Sequence, residues 1–268
     1  MSVGNDVVDL TAARATAMAA HPRFVERVFT ETERERIRSS RDADLEVWFG
    51  WAAKEAAYKV ASKLRGEPPV FVHRAFEVAW STGLENSGGP RHGSVRYEGS
   101  VYPVRAEVAP DRGYVHALSF CTADAAPDAG PSLRPMLGAD RPAPLPRGAR
   151  YTVERVDRVG APWVDTLDAL RARLTQRERD AVHSLLSAAV RIGARADAAD
   201  LLDIEADRLE IVCGPGRLGR RPPRVLVDGA PANIDVSLSH DGPWIAWAFT
   251  PPGTPVLAPT FDPGTKSS

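Results

Sequence analysis

The sequence predicts an α+β fold built from two similar subdomains that pair as a pseudo-dimer. Three observations predict it. Each half reads as a short strand, then helical periodicity, then several β-type runs. Both halves finish on a similar apolar strand, YVHALSF in the first and WIAWAFT in the second. Between them, residues 123–149 are rich in Ala, Pro and Gly and follow neither period, which reads as a linker or a loop wrapped over the surface. The expected division is a first subdomain over 1–122, the linker 123–149, a second subdomain over 150–250 and a tail over 251–268.

In the first half, VGNDVVDL is a short apolar strand ending in acids. Helical segments FVERVFTETERERI and LEVWFGWAAKEAAYKVASKL follow, and then strands AFEVAW, GSVRYEG, VYPVRAEVA and GYVHALSFC separated by turn residues. In the second half, YTVERV is a strand and residues 166–194 are helical. LEIVCG, RVLVDG, IDVSLSH and WIAWAFT then read as strands.

Composition excludes more than it assigns. Hydrophobic residues are 43% of the 268 and charged residues 26%, the balance of an ordinary globular chain. The formal net charge of −1 gives no global field toward nucleic acid or an anionic membrane, so neither is expected as a partner. Cys121 and Cys213 stand in no CxxC spacing and read as reduced thiols. Asp6 and Asp9 fall where a signal peptide would be basic and then apolar, and no stretch has the length of a membrane span. The expectation is a cytoplasmic monomer.

Three segments carry chemistry. On the helix around Trp51, at about 100° per residue, Trp48, Trp51, Glu55, Tyr58 and Lys59 share one side, and Phe49, Ala53, Ala56, Ala57, Val60 and Leu64 the other. Such a helix is expected to be buried on both sides, which places Glu55 and Lys59 among aromatic rings. A plain i,i+4 ion pair supporting the helix is the alternative. Asp6 ends an apolar strand just after Gly4; it reads either as a turn or cap aspartate or as a carboxylate aimed into a cleft. Two carboxylates from separate elements beside a lysine suit a magnesium–phosphate site, because Mg²⁺ takes one or two carboxylates plus water and phosphate oxygens. In IDVSLSHDGPWIAWA, Ser237 and Ser239 alternate with Val236 and Leu238, and His240 leads into the Asp241-Gly242 turn. A hydroxyl, an imidazole and turn amides can cradle a phosphate. Ser/His hydrolase chemistry competes, but Ser239 adjoins His240 in sequence and no GxSxG elbow exists.

Taken together, GNDVVDL, WAAKEAAYK and SLSHDGPWIAWA resemble the three signature motifs of the 4'-phosphopantetheinyl transferases. The helix resembles the W-x-x-K-E-x-x-x-K element at Trp51, Lys54, Glu55 and Lys59, and the strand-turn resembles the Ser-His element at Ser239 and His240. The resemblance implies that family's fold and the transfer of 4'-phosphopantetheine from coenzyme A to a serine of an apo acyl- or peptidyl-carrier protein. It implies Mg²⁺ on Asp6 and Glu55, a phosphate contact for Lys59, and Lys54 near the nucleotide or phosphates. Ser239 and His240 would reach the nucleotide end of coenzyme A. Arg221-Pro222 resembles a G-K/R-P segment that holds coenzyme A, and Arg177 and Arg179 lie where the family carries basic residues for the 3'-phosphate. Glu55 is the best candidate for a general base, with Lys59 and Asp6 completing the catalytic set.

The motif order departs from the usual two-domain members and follows the small holo-acyl-carrier-protein synthases, which assemble sites between identical subunits. Here the first half keeps the acid-lysine motifs and the second the Ser-His motif, so one site per chain is expected where the halves meet. Val8 stands where two-domain members often carry a third acid. Asp9 comes one residue later, and metal contact, ordering of a metal-bound water and capping of the next helix all remain open for it. A non-catalytic coenzyme A or carrier-binding module is the rival from another class.

Overall fold

The computed structural model describes residues 1–14, 17, 21–66, 68–81, 89–109, 113–122, 146–157, 166–216 and 219–256. Residues 123–145 of the expected linker and 257–268 of the expected tail lie outside the described residues.

The first half opens with strand β1 (Ser2–Asp9), buried along its whole length. Short helices α1 (Leu10–Arg14), α2 (Pro22–Val28) and α3 (Glu31–Ser39) lead to the long helix α4 (Ala43–Arg65). Asp42 caps the start of α4 by accepting from the Leu45 N–H, and Gly66, at φ 74°, ends it in the left-handed region. Strands β2 (Glu77–Trp80), β3 (Arg91–Tyr97), β4 (Ser100–Ala109) and β5 (Tyr114–Cys121) then build a five-stranded antiparallel sheet, ordered β1-β5-β4-β3-β2. Helix α4 packs on this sheet through Phe49, Ala53, Ala56, Ala57, Val60 and Leu64. A Cβ on Gly4 would sit 2.0 Å from the Ala56 carbonyl oxygen, so glycine is what lets α4 lie against β1. That close approach brings Glu55 and Lys59 beside Asp6.

The second half has β6 (Arg150–Arg155), helices α5 (Leu167–Ala172), α6 (Gln176–Arg179) and α7 (Leu185–Leu202), and strand β7 (Leu209–Val212). Next come two-residue strands β8 (Pro215–Gly216) and β9 (Gly219–Arg220), then β10 (Arg224–Val227), β11 (Ala230–Pro231), β12 (Val236–Asp241) and β13 (Trp244–Phe249). The single helical region expected over 166–194 is three helices. Thr175 and Ser184 each accept from a backbone N–H three residues on, and so start a new helix in place of continuing the old one.

The halves repeat one plan. In each, the first strand pairs antiparallel with the last, β1 with β5 and β6 with β13, and the last pairs with the strand before it. Each half also has a capping box before its long helix, Thr30 with Glu33 and Thr175 with Glu178. Each buried glutamate then does two further things. Glu33 accepts from the Val78 N–H and pairs with Lys54 of α4 at 2.8 Å. Glu178 accepts from the Ile211 N–H and pairs with Arg195 of α7 at 2.9 Å. The two hydrophobic cores, one under α4 and one under α7, are separate clusters.

The halves join along β1 and β12, both terminal in their sheets. The N–H groups of Val3, Asn5, Val7 and Asp9 donate to the side chains of Asp235, Ser237, Ser239 and Asp241 at 2.8, 2.9, 3.2 and 2.7 Å. The constant offset of 232 residues makes this a parallel ladder whose rungs are side chains. It satisfies N–H groups on the side of β1 away from β5, which would otherwise be buried without partners. At one end Lys63 closes the seam, bonding the carbonyls of Val3 and Val236 and pairing with Asp235 at 2.8 Å. Val7, Tyr114, Trp244 and Ala246 pack between the sheets, as do Val3, Leu118 and Ala248. No helix among the described residues is long and apolar enough to cross a membrane. Cys121 and Cys213 are free thiols.

Candidate functional site

A cleft of about 800 Å³ opens where α4 and β1 face α7 and β12. From the first half it is lined by Asp6, Asp9, Trp48, Trp51, Glu55 and Lys59, and from the second by Ser187, Arg191, Cys213, Ser239, His240 and Asp241, among others. Neither half supplies both sets.

Asp6 lies in the middle of β1; the strand runs three residues past the position expected to end it, because the seam buries it to Asp9. The Asp6 carboxylate is nearly buried, and its Oδ1 accepts from Lys59 Nζ at 3.0 Å and from Ser239 Oγ at 2.8 Å. Lys59 also donates to the Asn5 carbonyl at 2.7 Å. Burial pushes the Asp6 carboxyl up to about 6; the negative charge of Glu55 adds to the rise, and Lys59 and Ser239 oppose it. Glu55 is one turn before Lys59 on α4, with its carboxylate 3.7 Å from the His73 imidazole. The face of α4 carrying Trp48, Trp51, Glu55 and Lys59 is half-buried, not enclosed as expected, since it forms a wall of the cleft. Trp51 is held there by stacking on His73 and Phe24, at 4.5 and 5.6 Å between ring centroids.

The donor chemistry fits a hard divalent cation. Two carboxylates converge with one ammonium, and burial, with the Glu55 charge added to it, pushes the Asp6 carboxyl up. Among the described residues no group of three or more His, Cys, Asp or Glu side chains could hold a metal, so the arrangement to weigh here is a carboxylate pair. Such a pair leaves positions for water and for phosphate oxygens. Asp9 is occupied otherwise: its Oδ1 accepts from the N–H and hydroxyl of Thr11, capping α1, and its Oδ2 would meet a Cβ on Gly242 at 2.2 Å.

Several expected contacts are placed elsewhere. Lys54 is fully buried; besides Glu33 it donates to the carbonyls of His73 and Phe76 and so stitches α4 to the sheet, and it does not line the cleft. Burial lowers its pKa while Glu33 supports the charge. Ser239 lines the cleft, but its hydroxyl is engaged in the seam, accepting from the Val7 N–H and donating to Asp6. Arg177 pairs with Glu210 at 3.0 Å, and Arg179 Nε donates to the Leu174 carbonyl at 2.9 Å. Arg221 follows β9, and its N–H donates to Gly214. None of these three arginines lines the cleft; Pro223 does. His240 stays at the lip, exposed, and is held below the usual imidazole range by partial desolvation and then by Lys59 and Arg191. As strand neighbours, Ser239 and His240 point to opposite sides, which removes the geometry of a Ser/His nucleophile pair.

Arg191 was not singled out by the motifs. It is 6% exposed on α7, lines the cleft, and is held by Ser187 Oγ and the Ser187 carbonyl at 2.7 and 2.8 Å. Its one sequence signal is a charge inside the apolar run LLSAAVRIGA. With Lys59 it places two cations among the cleft's carboxylates Asp6, Asp9, Glu55 and Asp241, and His240 adds an imidazole held toward its neutral form.

A cleft that joins paired carboxylates to a lysine and an arginine has a charge pattern that suits a phosphorylated ligand. Residues 2–118 match the family model described as ACPS, the 4'-phosphopantetheinyl transferase superfamily, a stretch that holds GNDVVDL and WAAKEAAYK but not the Ser-His motif. Three solved structures are similar over 44% of the chain: the Thermotoga maritima holo-[acyl-carrier-protein] synthase at TM-score 0.32 and 19% identity, a Chronobacterium ammoniagenes ACPS–CoA complex at 0.32 and 22%, and the Neisseria meningitidis holo-[acyl-carrier-protein] synthase at 0.33 and 14%. The similar region spans 61%, 93% and 94% of those chains, respectively. At TM-scores this low the likenesses say nothing of activity. No curated protein matches the chain.

Proposed function

We propose that this chain transfers the 4'-phosphopantetheine arm of coenzyme A to a serine hydroxyl of an apo acyl- or peptidyl-carrier protein. The observation that carries the reading is the single cleft into which Asp6, Glu55 and Lys59 come from one half and Arg191 and His240 from the other. The family match over 2–118 supports it.

In the proposed reaction the carrier serine Oγ bonds to the β-phosphorus of coenzyme A. The bond to the oxygen retained by 3',5'-adenosine bisphosphate breaks, and the serine proton passes to a base. Glu55, half-buried on the cleft wall, is the candidate base. Lys59 swings from Asp6 to a phosphate oxygen over a short distance, since its long side chain is already at the cleft. Arg191 and His240 hold the nucleotide's phosphate from the opposite wall. Mg²⁺ on Asp6 and Glu55 would neutralise pyrophosphate charge as it develops. Phosphoryl transfer needs positioning and charge compensation above all, and the two walls provide both.

The Ser/His hydrolase reading loses support from the seam position of Ser239. A silent coenzyme A-binding module is separated by one experiment: incubation with coenzyme A, Mg²⁺ and a panel of apo-carriers, read as intact carrier mass. Gain of one phosphopantetheinyl group that requires Mg²⁺ is the expected result. Coenzyme A binding with no mass change on any carrier would contradict the reading.

A further inference from the structure

We propose that Ser239 is a positioning residue, through which the docking of the two halves sets the orientation of the Asp6 carboxylate. The inference rests on the reading of Asp6 as a metal carboxylate and assigns the serine a role apart from ligand contact.

The seam has four side-chain rungs, and they differ. Ser237 Oγ receives the Asn5 N–H, and no further bond from that hydroxyl joins it to the cleft. Ser239 Oγ, two residues on and on the same side of β12, receives the Val7 N–H at 3.2 Å and in addition donates to Asp6 Oδ1 at 2.8 Å. A hydroxyl has one proton and two lone pairs, so accepting from Val7 fixes the direction in which Ser239 donates. The backbone of one half therefore aims the hydroxyl of the other at the carboxylate. Lys59 reaches the same Oδ1 and leaves Oδ2 clear of both bonds. Ser239 is 7% exposed and Asp6 8%, so water competes little for the bond. Carboxylates that hold a metal are commonly oriented by such outer partners, whose loss costs metal affinity without removing a ligand.

The rungs supply their own control. Ser237→Ala removes a seam hydroxyl of the same kind without touching Asp6; Ser239→Ala removes both the seam bond and the carboxylate bond. Mn²⁺ is the probe, bound to the full chain in the presence of coenzyme A and followed by the paramagnetic signal of the free ion, with thermal melting in parallel. Ser239→Ala is expected to weaken Mn²⁺ binding about tenfold, while Ser237→Ala stays within about twofold of the wild type. Both should lower the melting temperature, Ser239→Ala the more because it loses a second bond, and Ser239→Thr, which keeps the hydroxyl, should restore affinity. If Ser239→Ala does not fold, Ser239→Cys, a weaker donor, takes its place with the same direction of change. Wild-type Mn²⁺ affinity in the Ser239 variant, or equal weakening in both serine variants, overturns the positioning role. Asp6→Asn separates the two levels: if it binds Mn²⁺ as tightly as the wild type, the metal reading itself fails. If Asp6→Asn loses Mn²⁺ while Ser239→Ala does not, only the positioning role fails.

Discussion

The two halves share a frame, but the first builds one five-stranded sheet where the second divides its strands among smaller sheets, and they differ again at the cleft. In both, a Thr-x-x-Glu capping box sends its glutamate inward to receive a strand N–H and to pair with a cation on the long helix. Matching Lys54 with Arg195 through that shared contact, the residue after each is Glu55 in the first half and Ala196 in the second. Four positions further on stand Lys59 and Asp200. The frame is kept in both copies and the carboxylate–lysine chemistry in one. The difference teaches that a lysine inside a signature motif can belong to the frame: Lys54 is the counterpart of a structural arginine, while Glu55 and Lys59 face the cleft.

The comparison breaks most visibly if the frame cations are removed. Lys54→Met and Arg195→Met each leave a buried glutamate uncompensated and should cost about 3–5 kcal/mol of stability in chemical unfolding. Transfer per folded molecule should stay near wild type in both. A Lys54 variant that folds normally but loses coenzyme A affinity would return that lysine to the ligand. Next in size, Glu55→Gln should lower transfer by about a hundredfold or more with an almost unchanged melting temperature, as loss of a group acting on developing charge does. Near-normal turnover with unaltered Mg²⁺ dependence would remove Glu55 from the mechanism. On the other wall, His240→Ala and Arg191→Met should each weaken coenzyme A binding by about 1–3 kcal/mol, read by calorimetry. A fall in turnover at saturating coenzyme A with unchanged binding would instead make either one a group of the chemical step.

The smallest expected effect concerns Asp6 without metal. Its folded pKa, about 6, lies above the ordinary aspartate value of 3.8, so the folded chain holds the extra proton between those values. The stability contributed by the neutral carboxyl is complete below about pH 4 and is lost as pH rises through about 6. Asp6→Asn should therefore melt at or above the wild-type temperature at pH 7, with the gap, on the order of 2–3 kcal/mol, closing toward pH 4. An Asp6→Asn chain less stable than wild type at pH 7 would show that Lys59 and Ser239 outweigh the burial of the charge.

Much of this was legible because it is local. The alternation in SLSHDGPWIAWA, the apolar strand GNDVVDL and the helix WAAKEAAYK mark their elements, and Asp6, Glu55, Lys59 and His240 do line one cleft. What was hidden depends on partners far away in sequence. The motif shows Lys54 beside Glu55, but burial against Glu33 and the Phe76 carbonyl decides what it does. Ser239 reads as a ligand contact until β1, 232 residues earlier, takes its hydroxyl. Arg191 belongs to no motif and reaches the cleft only because α7 packs behind β12 and β13. The three helices over 166–194 were within reach, since TQRE spells a capping box in the middle of the supposed single helix.

The central claim is that one chain completes one cleft from two unlike halves. The most direct measurement mixes two inactive full-length variants, Asp6→Ala and the double variant Arg191→Met with His240→Ala, and follows phosphopantetheinyl transfer to an apo-carrier. With each site completed inside its own chain, the mixture should be no more active than the two variants measured apart. Recovery of transfer on mixing, toward about a quarter of the wild-type rate as expected for one restored site among random pairings, would show that the cleft is completed between two copies and would contradict the account.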